Sequence, residues 1–424
     1  MSKELFVYLY DKKIGMLKDN GGNLSFEYFD NAKYPISLSM PLKKKIFNNN
    51  ITQKFFSNLL PEGNLREILI KQYGVKSGNI FHILEKLGGE CAGAIAIYTE
   101  EQDINKNFDN KEEKISKEEF RDIILNLKKQ PLLVGKKVRL SLAGMQEKTA
   151  IFIKNNFNED SKILINNLEF IKPNNTLISN YIIKPPVEDY KNSIYNELFC
   201  MLLAKKIILT TPAVYLYRDN DLECLFINRY DRIQSNDNPN ILKRLHQEDF
   251  CQILSIFPEK KYEIDGGPSI KSVYNILNQY CSIDDSKIRF LKYIVFNFII
   301  GNNDAHGKNF SVLYKKQNDL LIPILAPIYD VLSTQVYNDL SDEMAMKIGG
   351  EYSSKKIVRQ HFIRMAEELG IKTKLIELII DEISKNMYKE VNNLKIHLKQ
   401  EGIVSDVFSD IEKVVLDNIK RIEE

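Results

Sequence analysis

Short apolar bursts separated by turn residues open the chain. LFVYLY, the Lys13–Leu17 stretch and NLSFEYF are broken by Asp11-Lys12 and Asn20-Gly21-Gly22, a pattern that predicts a β-meander. PISLSMPL (35–42) reads as a strand bracketed by prolines, since Pro41 has no N–H for a ladder. A helix is expected to open at Thr52 and run through Phe55, Phe56, Leu59 and Leu60, with a new segment at Pro61. Leu65, Ile68, Leu69 and Tyr73 continue at helical spacing. IFHILEKLGGE (80–90) predicts a helix stopped by Gly88-Gly89, and CAGAIAIY (91–98) a buried strand. Together these elements form an α+β unit spanning 1–100, a normal domain size.

Residues 99–119 carry many charges and few apolar anchors, and read as a solvated linker running into a surface helix, so 101–135 is set apart as linker and helix. Strands are expected at VRLSL (138–142), KTAIFI (148–153) and NYIIKPP (180–186), and a helix over 193–207. VYLYR (214–218) and ECLFINRYDR (223–232) are two more strands, joined by the Asp219-Asn220-Asp221 turn. From 246 onward helical patterns dominate, notably 287–301 and 355–420. The pattern therefore predicts an α+β chain of two lobes, strand-rich over 136–232 and helical over 233–424, behind the N-terminal unit.

Composition narrows the function classes. The chain has 424 residues, more than one core usually serves, with 59 Lys+Arg against 57 Asp+Glu. A net charge of +2 advertises neither nucleic acid nor anionic membrane as a direct partner. Lys43–Lys45 and Lys136–Arg139 are small basic clusters that read as solvated surface. Apolar stretches such as Ile294–Phe296 and Phe298–Ile300 fall far short of a membrane span, and the charged opening lacks a signal peptide's apolar run. Cys91, Cys200, Cys224, Cys251 and Cys281 are scattered without a C-x-x-C pair, which supports neither a disulfide framework nor a thiolate zinc site. A cytoplasmic, reduced location is expected.

The chemistry concentrates in FNFIIGNNDAHGKNFSVLY (296–314). An apolar helix ends at Gly301, and a polar loop with Asp304, His306, Lys308 and Asn309 leads into a strand. Asp304 and Asn309 stand five positions apart, the D-x-x-x-x-N spacing of a kinase catalytic loop, where the acid reaches the attacking hydroxyl and the amide reaches a magnesium ion. A hairpin follows, then Tyr329-Asp330, with Asp330 where a second metal-binding carboxylate belongs. Such hard oxygen ligands suit Mg²⁺. Upstream, the turn around Gly144, with Ser141, Gln146, Lys148 and Thr149 nearby, offers backbone N–H groups for phosphate. It has neither a Walker A sequence nor a protein-kinase glycine spacing. Lys184 is a cation in an apolar strand, and Glu197 on the following helix is expected to hold it as an ion pair.

In this order, RLSLAGMQEKTA, IIKPP, NRYDR, RLHQEDF, NNDAHGKNFS and APIYDVLS resemble the HipA family of toxin serine/threonine kinases. PISLSMPL, FFSNLLPEGNLRE and GGECAGAIAIY resemble its N-terminal subdomain, so the likeness spans about residues 4–385. The resemblance implies a bilobal kinase-like fold using ATP and Mg²⁺. Asp304 would be the catalytic base and Asn309 and Asp330 the metal ligands. Ala143, Gly144, Met145, Gln146, Glu147 and Lys148 would form the phosphate loop, and Lys184 would touch ATP phosphates. Asn228, Arg229 and Tyr230 would be the adenine hinge, with His306, Gly307, Lys308, Asn309, Tyr329 and Asp330 completing the nucleotide site. Asn228 departs from the acidic residue common there, which leaves adenine recognition to backbone groups.

Ser141 falls where the family autophosphorylates and switches itself off. A phosphate near −2 charge beside a site built for ATP phosphates repels nucleotide. The resemblance also implies a small helix-turn-helix antitoxin, HipB, with DNA bound through it, and glutamyl-tRNA synthetase as substrate. A catalytically silent co-repressor and a small-molecule or lipid kinase are the competing classes. Retention of Asp304, Asn309, Asp330 and Lys184 argues against silence.

Overall fold

The computed structural model describes residues 3–75, 79–99, 112–127, 129, 140–154, 162–174, 177–207, 209–235, 242–281 and 283–423. The expected meander is present as Lys3–Leu9, Lys12–Asn20 and Asn23–Tyr28, all antiparallel. Ile95–Tyr98 pairs on the far side of Lys3–Leu9 and Ile46–Phe47 on the free edge of Asn23–Tyr28, closing a five-stranded sheet. The helices Asn49–Ser57, Gly63–Gln72 and Ile80–Leu87 cover it. Phe26, Phe47, Phe55, Phe56 and Phe81 fill this unit's core, which Leu140, Leu142 and Ala150 of the next lobe also enter. The first helix starts at Asn49, ahead of Thr52, because the Asn48 side chain caps the Ile51 N–H.

PISLSMPL is not a strand. It is a tight turn with one bridge, Ser37 to Met40. Glu248 accepts hydrogen bonds from Ser37 Oγ and from the Leu38 N–H, at 2.5 and 2.9 Å, so the segment's polar groups are satisfied from the helical lobe. A distant side chain thus replaces the ladder that alternation alone suggested.

The second sheet has seven strands, ordered Lys114–Ile115, Phe170–Ile171, Thr149–Ile153, Tyr181–Lys184, Leu222–Asn228, Val214–Asp219 and Leu164–Ile165. Only the last pairing is parallel. Asn220 supplies the left-handed residue that turns one central strand back on the next. The helix expected at the surface, Lys117–Leu125, lies there with one face inward, burying Ile124 and Phe120, the latter stacked on Phe170 at 4.0 Å, in this lobe's core. Val138 and Arg139 lie outside the described residues, and Leu140–Leu142 join no sheet. Leu140 makes a single bridge to Glu90 of the N-terminal unit.

The largest core joins the Ser193–Lys206 helix to Ile270–Tyr280, Ser286–Ile299, Arg359–Glu368, Thr373–Gln400 and Val407–Glu423. The 286–299 helix is buried nearly all round, which its run of Phe290, Leu291, Ile294, Val295, Phe296 and Phe298 requires. A three-stranded sheet, His246–Asp249, Ser311–Gln317 and Leu320–Leu325, packs against it. Its hairpin turns at Asn318-Asp319, both left-handed. All five cysteines are free and buried. Among the described residues, no helix is long and apolar enough to cross a membrane.

Candidate active site

The catalytic loop is fixed first by how its helix ends. Gly301 takes φ +71°, and a Cβ there would meet the Val414 side chain at 2.7 Å. The Gly301 N–H donates to Phe298 O and the Asn302 N–H to Asn297 O, the two bonds of a Schellman motif. Phe298 O accepts a second bond, from the Asn418 side chain at 3.0 Å, which also reaches Ile299 O at 3.2 Å. Thr334 ties the loop again, donating to Gly301 O and accepting from the Asn303 N–H.

Within the loop the Asn302 side chain accepts from the Asp304 N–H at 3.1 Å. Asn309 Nδ2 donates to the Asp304 backbone carbonyl at 3.2 Å, which closes the loop on itself. Burial raises the Asp304 carboxyl, opposed by the Tyr262 hydroxyl, which donates to Oδ1 at 2.7 Å. Burial drives His306 well below the usual imidazole range, so its ring is neutral.

Lys184 and Asp330, 146 positions apart, meet with Nζ 2.6 Å from Oδ1. Glu197 completes the set, with both carboxylate oxygens on Lys184 at 2.7 and 2.9 Å, which is the pairing expected for them. Burial opposes the Lys184 charge, but Asp330 and Glu197 outweigh it and hold the amine above its ordinary value. Burial likewise opposes the Asp330 charge, but the Lys184 and Lys148 cations hold this carboxylate far below its usual range. Asp330 adopts φ +57°, a left-handed backbone that aims its side chain at the lysine.

The Gly144 turn faces this cluster. A Cβ on Gly144 would stand 2.7 Å from the movable Lys148 Nζ, and it is the φ of +109° that suits the position to glycine. Gly144 O accepts from the Glu62 N–H at 3.1 Å, while Met145 is largely exposed and Gln146 and Glu147 are half-buried. Ser141 is fully buried, its hydroxyl donating to Leu59 O at 2.6 Å and its N–H to Glu90 O at 2.8 Å.

Other expected site residues are engaged differently. Arg229 lies buried on Glu90, Asp231, Ser179 and Cys91 O, so its guanidinium anchors the N-terminal unit to the hinge. Its neighbour Asn228 is half-buried, with its N–H on Ala213 O. Tyr230 packs against Tyr329 at 5.6 Å. The Lys308 ammonium sits on Asp249 and Asn58, each at 2.7 Å. Asn228, Arg229, Tyr230, Tyr329, Ala143, His306 and Lys308 line one cleft of about 1130 Å³ between the lobes, whose lining does not include Gly307 or Ser141. That is roomy for one small ligand. The charge pattern missed Glu62, Lys261 and Tyr262, whose side chains reach the same cleft from segments with no motif spacing.

A strand-rich lobe and a helical lobe enclosing a Lys–Glu pair, an acidic loop and a second carboxylate define a kinase-type phosphotransferase. The HipA N-terminal domain profile matches residues 5–98 and the HipA-like C-terminal domain profile residues 140–391. The chain belongs to the HipA family, and it is an enzyme of the HipA-like serine/threonine kinases. It is 34% identical over 369 residues to the Y4mE protein of Sinorhizobium fredii, covering 85% of this chain and 84% of that one. It is 28% identical to the serine/threonine-protein kinase toxin HipA of Shewanella oneidensis, covering 84% of this chain and 79% of that one. The solved HipA of the Shewanella oneidensis MR-1 toxin–antitoxin complex, with HipB and its operator DNA, superposes with a TM-score of 0.82. That match has 25% identity and covers 99% of this chain and 97% of the other.

Proposed function

We propose that this chain is an ATP- and Mg²⁺-dependent protein serine/threonine kinase, the toxin of a HipBA-like toxin–antitoxin pair. The observation that carries the reading is the convergence of Lys184, Glu197 and Asp330 on one face of the cleft that also holds Asp304 and Asn309. The donor set fits magnesium. Asp330 and Asn309 offer hard oxygens, and among the described residues no group of three or more His, Cys, Asp or Glu forms a protein cage. Mg²⁺ binds through few protein oxygens, with phosphate and water completing its shell. Bound there, it would offset charge on the phosphates.

The chain's own residues do the rest. Asp304 orients the acceptor hydroxyl and takes its proton, for which its raised carboxyl is better suited than an ordinary aspartate. Lys184 and Lys148, with loop amides, hold the triphosphate, and the neutral His306 keeps extra charge out of the loop. Asn228–Tyr230 form the hinge, and adenine is recognised there by backbone groups.

A helix-turn-helix antitoxin of the HipB kind is the proposed partner, supported by the likeness to the Shewanella oneidensis HipA that was solved with HipB and operator DNA. DNA is reached through that partner, in keeping with a net charge of +2. A translation protein such as glutamyl-tRNA synthetase is the proposed substrate, a point that rests on family resemblance. Asp304→Asn is expected to keep ATP binding within about threefold while losing at least about 1000-fold in phosphoryl transfer. Nucleotide titration alongside a γ-labelled ATP transfer assay checks it, and near-normal transfer by the variant would remove Asp304 from the role.

A further inference from the structure

The N-terminal unit enters the cleft through Glu62, which is only 8% exposed. Its N–H is bonded to Gly144 O, so its backbone is fixed beside the phosphate loop. Its carboxylate reaches the other way, with Oε2 3.2 Å from Lys261 Nζ and Oε1 3.6 Å from Lys308 Nζ. Oε1 is buried without a hydrogen bond. Both lysines flank the catalytic loop. Lys308 belongs to it, and Lys261 O accepts the Gly307 N–H at 3.2 Å. The next residue, Tyr262, donates to Asp304 Oδ1 and meets the His306 ring edge-on at 5.3 Å. The Lys261 ammonium lies 5.6 Å from the centre of that same tyrosine ring.

We infer that Glu62 is a positioning residue of the phosphoryl-transfer centre, acting through Lys261 and Tyr262 on Asp304. The inference rests on the kinase reading above. It makes the N-terminal unit a constituent of the active centre, beyond any role as a docking module. Among the described residues, Glu62 is the one carboxylate within ion-pair distance of Lys261, and Asp249 holds Lys308. The two acids and two amines are therefore balanced. Removing the Glu62 charge leaves a buried ammonium with no counter-ion, a costly state that drives it to the nearest anion. Asp304 already feels the Lys261 charge and is joined to the same segment through Tyr262, so it is the anion proposed to receive it. A lysine captured there would occupy the carboxylate that must receive the acceptor hydroxyl. The Lys184 and Asp330 contacts would be untouched and Lys148 would lose only a lesser favourable charge, so turnover should suffer far more than ATP affinity.

Full-length wild type, Glu62→Gln, Lys261→Met and the double variant are compared for ADP formation and phosphate incorporation with dephosphorylated casein and Mg·ATP. Glu62→Gln is expected to lose about 10- to 100-fold in kcat with KM for ATP within about threefold. The double variant should match Lys261→Met, because Glu62 acts through that lysine. Unchanged kcat in Glu62→Gln, or losses that multiply in the double variant, overturns the inference. If Glu62→Gln fails to fold, Tyr262→Phe serves, since it deletes one hydroxyl. It should lose kcat in the same sense, and wild-type kcat in it also overturns the inference. Asp304→Asn run beside these separates the two readings. An inert Asp304→Asn with a normal Glu62→Gln sinks only the inference, and a wild type that forms no ADP and adds phosphate neither to casein nor to itself sinks both.

Discussion

An amine shut into a cleft beside another amine holds its proton poorly. Burial is the main cause that brings Lys148 down to about 8, with Lys184 adding to the fall and Asp330 opposing it. Below that pH the cleft offers a second cation to a triphosphate, and above it Lys148 is a neutral donor. ATP affinity should therefore weaken as pH rises through about 8, by up to roughly tenfold per pH unit. Bound phosphate stabilises the charged form, so the nucleotide complex keeps its proton to higher pH. Lys148→Met should bind ATP more weakly at pH 7 and lose the slope between pH 7 and 9. Isothermal titration at several pH values reads both effects, and a slope that survives the substitution would assign it to another group.

At the scale of elements, the phosphate-loop segment is held, among the described residues, by the N-terminal unit and by no sheet. Its fastenings are the Leu140–Glu90 bridge, the Ser141 bonds to Leu59 and Glu90, and the Gly144 contacts with Pro61 and Glu62. Ser141 has no exposure while they hold, so its hydroxyl is out of reach of any phosphate donor until the segment leaves. Once it carries phosphate, a doubly charged group cannot return to a pocket shaped for a hydroxyl on Leu59 O. Incubation with Mg·ATP is expected to add one phosphate at Ser141 and to open the 142–147 stretch to protease. Intact mass and limited proteolysis follow the two events. Phosphate gained with no change in cleavage would mean that the segment returns to its seat.

Over the whole molecule, the N-terminal unit is joined to the hinge by buried charge. Glu90 accepts from Ser179 Oγ at 2.7 Å and from Arg229 and Arg232 at 3.1 Å each, and the Gly93 N–H donates to Asp231 at 2.8 Å. Deleting one member of such a set strands the rest in a low-dielectric interior. Glu90→Ala is expected to cost about 3–5 kcal/mol. Chemical denaturation measures it, and a loss under about 1 kcal/mol would show that water or rearranged partners satisfy the arginines. The same join explains why Arg229, expected at the adenine, is turned into the domain contact. Nothing within NRYDR distinguishes a guanidinium facing a ligand from one facing Glu90, 139 positions earlier. What the surface helix packs against was hidden for a related reason. Phe120 looks like a lone apolar residue in a charged stretch until Phe170 arrives to stack on it.

The amino-acid sequence by itself determined whatever depends on a few consecutive residues. The glycine that ends the 286–299 helix, the D-x-x-x-x-N spacing behind it, and the Asn-Asp turn returning the chain toward Asp330 are set by backbone dihedrals and side-chain chemistry within one turn. Tertiary structure alone decided which charges meet. Lys184 finds Asp330, Glu62 finds Lys261, Lys308 turns to Asp249, and Ser141 disappears under Leu59. Those pairings depend on how the three largest cores pack together. A buried ion takes whichever counter-charge that packing brings within reach, whatever its place in the linear order.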